Sequence, residues 1–149
     1  MKYEKKMGFA LFVAGEEGYN TFRIPAVITL PNGRLPAFAE GRRLSASDYG
    51  EIDIVVKVSD DGGGNWEPER DITESTKPSD WTWYAVGPNH ALQLTSGRLL
   101  FPCNHAVLIE NEEKSGPYHS HIIYSDDHGN GCQYLSASNF GAWAGGVVV

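Results

Sequence analysis

Short runs in which apolar and polar residues alternate recur at 26–30, 52–56, 91–94, 98–101 and 121–124, each bounded by Gly, Pro, Asn or Asp. A period of two marks strands that bury one face, so these runs predict β-structure. No window carries the spacing of a convincing amphipathic helix. The chain reads as all-β.

The turns carry a second, longer period. Leu30-Pro31-Asn32-Gly33-Arg34-Leu35 is echoed 64 positions later by Leu94-Thr95-Ser96-Gly97-Arg98-Leu99, and Ser59-Asp60-Asp61-Gly62-Gly63 is echoed 66 positions later by Ser125-Asp126-Asp127-His128-Gly129. Two turn types that move together mark two copies of one hairpin-rich module. Asn-Gly or Ser-Gly suits a tight hairpin, and the spacing to the acidic turn leaves room for roughly four short strands per copy. Four-stranded units repeated in sequence are propeller blades, which predicts a partial β-propeller of about two to three blades.

The acidic turn has its own mechanism. In the pattern Ser59-x-Asp61-x-Gly63-x-x-Trp66 the carboxylate accepts backbone N–H groups of its own turn, Gly permits positive φ, and Trp packs beneath the hairpin. The second copy keeps Ser125, Asp127 and Gly129 but has Cys132 where Trp would stand. Its hairpin is expected to be less well anchored.

Composition then narrows the partners. The 149 residues carry 19 acidic and 12 basic side chains, a formal net charge of −7. That balance argues against a nucleic-acid partner, because phosphate binding needs a basic face. No stretch is long enough to cross a bilayer as a helix. The apolar run 9–14 is too short for the core of an export signal, which leaves the cytoplasm as the default compartment. Cys103 and Cys132 could form one bridge at most and do not have Cys-x-x-Cys spacing. His119 and His121 share one face of a predicted strand, but no third ligand is spaced to join them, so no metal is predicted.

Candidate chemistry clusters near the start. Tyr19-Asn20-Thr21-Phe22-Arg23-Ile24-Pro25 is followed by Ala37-Phe38-Ala39-Glu40-Gly41-Arg42-Arg43 and, six positions after Arg42, by Asp48. This series, with the acidic turns, resembles the N-terminal part of the sialidase (neuraminidase) catalytic domain, a six-bladed propeller whose acidic turn is the Asp box, or BNR repeat. The resemblance implies that Arg23 binds the carboxylate of sialic acid, Arg42 a sugar hydroxyl, and that Asp48 is the general acid/base. Chemistry supports the first role independently, since a guanidinium forks onto a carboxylate and keeps its charge. An acid needs its proton near neutral pH, so Asp48 is expected to be buried or to face a like charge from Glu40, Glu51 or Asp53. Arg43 reads as a solvated charge.

A second match covers 77–88, 97–105 and 120–129, where Trp83 and Tyr84 are candidates to line the site by stacking on a sugar face. The resemblance implies no cofactor, and sialylated glycans, glycoproteins or glycolipids as substrates. It also implies a tyrosine nucleophile, a glutamate partner and two further arginines in later blades, which the matched motifs do not include. The expected organisation is a single incomplete propeller domain over 1–149, short of one blade between its two matched regions, with a tail at 130–149 of doubtful match. Open blade edges offer a route to self-association. Two functional readings follow: an exo-α-sialidase-type hydrolase, incomplete in this chain, or an inactive sialic-acid-binding or structural Asp-box fragment.

Overall fold

The computed structural model describes residues 8–86, 90–107 and 116–135. β1 (Thr21–Val27), β2 (Leu35–Arg42), β3 (Ile52–Ser59) and β4 (Arg70–Asp71) pair in sequence order as one antiparallel sheet. A single helical turn, α1 (Thr73–Thr76), leads to the second sheet. There β5 (Trp81–Val86) and β6 (Leu92–Gln93) pair with opposite halves of β7 (Leu99–Val107), so together they form one interrupted strand. β8 (Tyr118–Ser125) and β9 (Gln133–Leu135) complete the sheet. Each sequence repeat thus builds one antiparallel meander of four strand positions, as the turn spacing predicts. Gly87, Pro88 and the tail from 136 onward lie outside the described residues.

β2 escapes the alternation rule for a physical reason. Seven of its eight residues are buried because both faces are covered. On one face Phe38 meets Phe101 of the second sheet with ring centroids 4.2 Å apart, in a core that includes Ile54, Val56, Leu99 and Ile123. Each such fully buried side chain contributes about 1.5–3 kcal/mol. On the other face Ala39 and Val55 pack against Tyr19, Phe12 and Phe22, contributed by β1 and the segment before it. Lys57 Nζ fastens that segment, donating to the Leu11 carbonyl at 3.0 Å and pairing with Glu17 at 2.8 Å. Gly41 is required here, since a Cβ would stand 2.6 Å from the Tyr19 ring.

Both acidic turns close in the same way. Ser59 Oγ donates to Asp61 Oδ1 and accepts from the Gly63 N–H, each at 2.8 Å. Ser125, Asp127 and Gly129 repeat both bonds at 2.8 Å. The weaker anchoring expected of the second turn is not what the structure has. Arg34 Nη2 donates to Asn130 Oδ1 at 2.6 Å, and Arg70 donates to the carbonyls of Gly129 (3.0 Å) and Asn130. Arg34, from the turn before β2, and Arg70 of β4 therefore clasp the turn that lacks its tryptophan, while Cys132 is buried beneath it.

Candidate active site

Arg23 lies on β1 and Arg42 at the end of β2, where Arg23 is in register with Glu40 and Thr21 with Arg42. A register shift between Arg23 and Ala26 takes up Pro25, which cannot donate to the ladder, and Ile24, at φ 49°. The strand thus begins earlier than the apolar run 26–30 suggests. Asp48 sits on the loop between β2 and β3, and both guanidinium groups converge on it. Arg23 Nη1 and Arg42 Nη1 donate to the same oxygen, Asp48 Oδ1, at 2.9 and 2.7 Å. All three residues singled out in the sequence are therefore brought together.

Their environments differ. The Arg42 side chain is 3% exposed, and its Nε and Nη2 donate to Glu40 Oε2 at 3.1 and 2.7 Å, while Nη1 also donates to the Ala46 carbonyl at 2.8 Å. Glu40 is buried beside it, and its Oε1 has no hydrogen-bond partner. Burial pushes the Glu40 carboxyl upward, and Arg42 pulls it back toward the charged form. Arg23, by contrast, keeps 45% of its side chain exposed. A buried cation held by a buried anion thus supports an exposed cation at the mouth of the site.

Asp48 departs from expectation. Its side chain is 53% exposed, and hydrogen bonding to Arg42, then the charges of Arg42 and Arg23, hold its carboxyl below the ordinary range. The three acids expected to raise it do not outweigh the two cations. Glu40 is held by Arg42; Asp53 accepts from Tyr19 Oη at 3.0 Å and pairs with Arg43; the Glu51 backbone carbonyl accepts from Arg43 N. Arg43 is accordingly a paired cation lying over the Tyr19 ring rather than a free solvated one.

Trp83 and Tyr84 separate. A register shift between Trp81 and Trp83 places both Trp81 and Tyr84 on the core side. Tyr84 is fully buried, its hydroxyl 2.9 Å from His121 Nε2, so it offers no face to a sugar. Burial pushes its hydroxyl well above the usual tyrosine range. Half-buried Trp83 meets Tyr118 edge to face, with centroids 5.3 Å apart. The Tyr118 hydroxyl in turn lies 3.2 Å from that of Tyr49, the residue after Asp48. Sequence alternation gave no sign of this pair, because it joins a loop of one sheet to a strand of the other.

His121 belongs to a buried stack. His105 lies 3.3 Å from the Trp81 ring centroid at 5°, and His105 Nδ1 is 3.0 Å from His121 Nδ1. His119 stacks on His105 at 5.4 Å. Among the described residues no group of three or more His, Cys, Asp or Glu is placed to hold a metal, and no helix is long and apolar enough to cross a membrane.

Comparisons with known proteins agree on the family. Residues 13–140 match the family model described as a BNR repeat-like domain. Sialidase-4 of Homo sapiens is 42% identical over 84 residues, which is 51% of this chain and 17% of the relative. An exo-alpha-sialidase of Aspergillus fumigatus is 42% identical over 64 residues, 39% of this chain and 16% of the relative. The matched stretch therefore spans less than a fifth of these relatives. Among solved structures, the NanB sialidase of Streptococcus pneumoniae superposes with TM-score 0.62 at 12% identity, over 85% of this chain and 37% of that one. Trypanosoma rangeli sialidase, solved in complex with sialic acid, gives 0.51 at 16% identity over 78% of this chain and 19% of that one. At such identities the likeness shows the fold, a partial sialidase propeller.

Proposed function

The chain belongs to the sialidase family of BNR-repeat proteins, and from that premise we propose that it recognises terminal sialic acid on glycoconjugates as part of an exo-α-sialidase-type hydrolase. One observation carries the reading: two arginines from different strands converge on a single carboxylate oxygen, Asp48 Oδ1, at the exposed end of the first sheet. Without substrate, Asp48 itself occupies the clamp. Arg23, the exposed member, takes the sialic acid carboxylate, and Arg42, fixed by Glu40, takes a hydroxyl.

That exchange also resolves the charge of Asp48. A substrate carboxylate on Arg23 removes one of the two cations that hold Asp48 ionised and sets a negative charge nearby, and both changes raise its proton affinity. Protonated Asp48 then gives its proton to the glycosidic oxygen as the carbon–oxygen bond breaks, and water supplies the oxygen that replaces it at the anomeric carbon, returning its proton to Asp48. The second reading, a sialic-acid-binding module without turnover, is favoured by the present ionised state of Asp48.

Thermal unfolding with free sialic acid tests the site. The melting temperature is expected to rise in the wild type and not in Arg23→Ala. An identical curve with and without the sugar in both proteins overturns the reading. Turnover of a fluorogenic sialoside that disappears in Asp48→Asn separates hydrolysis from binding alone.

A further inference from the structure

We propose that Glu17 and Glu69 share one proton and, with Lys57, form a pH-sensitive latch, which holds segment 11–18 closed over the first sheet while protonated and lets it open when the proton leaves. The three side chains come from three parts of the sheet. Glu17 belongs to the segment before β1, Lys57 to β3, and Glu69 directly precedes β4. Lys57 Nζ meets both oxygens of Glu17, at 2.9 and 2.8 Å, and lies 5.3 Å from the centroid of the Phe12 ring.

Glu69 makes the proton necessary. Its carboxyl is hydrogen-bonded to that of Glu17, and its Oε2 is buried with no donor among the described residues. Two ionised carboxylates only accept, so one of the pair must carry the proton. Lys57 holds Glu17 ionised, which leaves the proton to the more enclosed Glu69. Asp71 of β4 adds a further negative charge, while Arg70 is turned toward the carbonyls of Gly129 and Asn130. Without the proton, one cation therefore faces three carboxylates.

The segment under the latch is poised to move. Glu17 has φ 54°, a left-handed conformation that a residue with a side chain keeps only where its surroundings hold it. Tyr19 stays anchored through its hydroxyl, 3.0 Å from Asp53, so opening is confined to the residues before it. Leu11 and Phe12 form one wall of a cavity of about 470 Å³ whose other walls include Phe22, Arg23, Pro25 and Trp66. Opening removes that wall, so a proton at one edge of the sheet governs the surroundings of Arg23 at the other.

The direction follows from the charges. Burial, then the hydrogen bond and charge of Glu17, raise the Glu69 carboxyl from 4.5 to about 7, against the pull of Lys57. The closed segment thus keeps a proton that the open one releases, and the latch is complete below the lower value and lost as pH rises through the upper one.

Hydrogen exchange of the full chain between about pH 5 and 8, corrected for the intrinsic pH dependence of exchange, tests the latch. The Gly15 and Glu16 amides, bonded to the Tyr19 and Val13 carbonyls, are expected to lose roughly tenfold or more of their protection as pH rises, while the β2 amides keep theirs. In Glu69→Gln, whose amide donates to Glu17 without titrating, protection should stay high and flat, and the β2 amides report that the variant is folded. Wild-type protection that ignores pH, a loss shared equally by β2, or an unchanged pH dependence in Glu69→Gln overturns the latch. Flat protection in Glu69→Gln at the low, alkaline level of the wild type overturns it as well, since the segment would then be held by the charge of Glu69 and not by its proton.

Discussion

Glu40 decides where Arg42 points. It lies on β2 two residues before Arg42 and accepts two of its donors inside the fold, leaving only Nη1 to reach Asp48 and Ala46. Removing one partner of a buried ion pair leaves an uncompensated charge, which costs about 3–5 kcal/mol. Because Arg42 keeps its bond to Asp48, Glu40→Ala is expected to lower stability by up to that amount in urea unfolding, and Glu40→Gln, which keeps an acceptor, by less. Equal stability of Glu40→Ala and wild type would show that Arg42 finds another partner. Motif spacing made Arg23, Arg42 and Asp48 legible as a group. The charge state of Asp48 was not legible, because it depends on two guanidinium groups meeting one oxygen across a register that spacing does not specify. That Trp83 and Tyr84 part follows from alternation, but which of them faces the core was hidden for a related reason: one register shift reverses which face each side chain takes.

At the scale of elements, the turns were the readable part. Their chemistry is local, so Ser59–Gly63 and Ser125–Gly129 fold alike wherever they sit. β2 was not readable, since burial on both faces erases the alternation that reveals a strand, and β4 and β9 are too short to show a period. Nor could local chemistry reveal that Arg34 and Arg70 clasp the second turn. Gly129 tests that docking. Its φ is 89°, and a Cβ there would lie 2.9 Å from Pro36, whereas Gly97, at φ 91°, has open space around it. Both Gly→Ala changes incur about 1–3 kcal/mol of backbone strain. Gly129→Ala should lose measurably more in urea unfolding, and equal losses would mean that the turn is not pressed against Pro36.

For the whole molecule, acid is the expected weakness. His105 and His121 are buried within the second sheet against Trp81 and Tyr84, where desolvation above all lowers their pKa values to about 4 and about 3. His119 on β8 disfavours the charged form of His105 and Asp80 favours it, while His121 feels the charge of His105. Unfolded imidazoles take up protons near pH 6.5, and the folded pair does so only below about 4, so the unfolded state binds more protons in between. Stability is complete above about pH 6.5 and is lost as pH falls toward 4. The melting temperature of the wild type should drop across that interval, and less so in His121→Phe; a flat profile would mean that the stack accepts protons in place.

The clasp on the second turn also bears on the order of assembly during synthesis. It joins residues 59 to 96 positions apart, while the hairpins within each sheet close locally. Ribosomes release the N-terminal part first. Arg34, Pro36 and Arg70 can thus be set in a finished sheet before Asn130 has been translated, and the first blade becomes the template on which the second is laid.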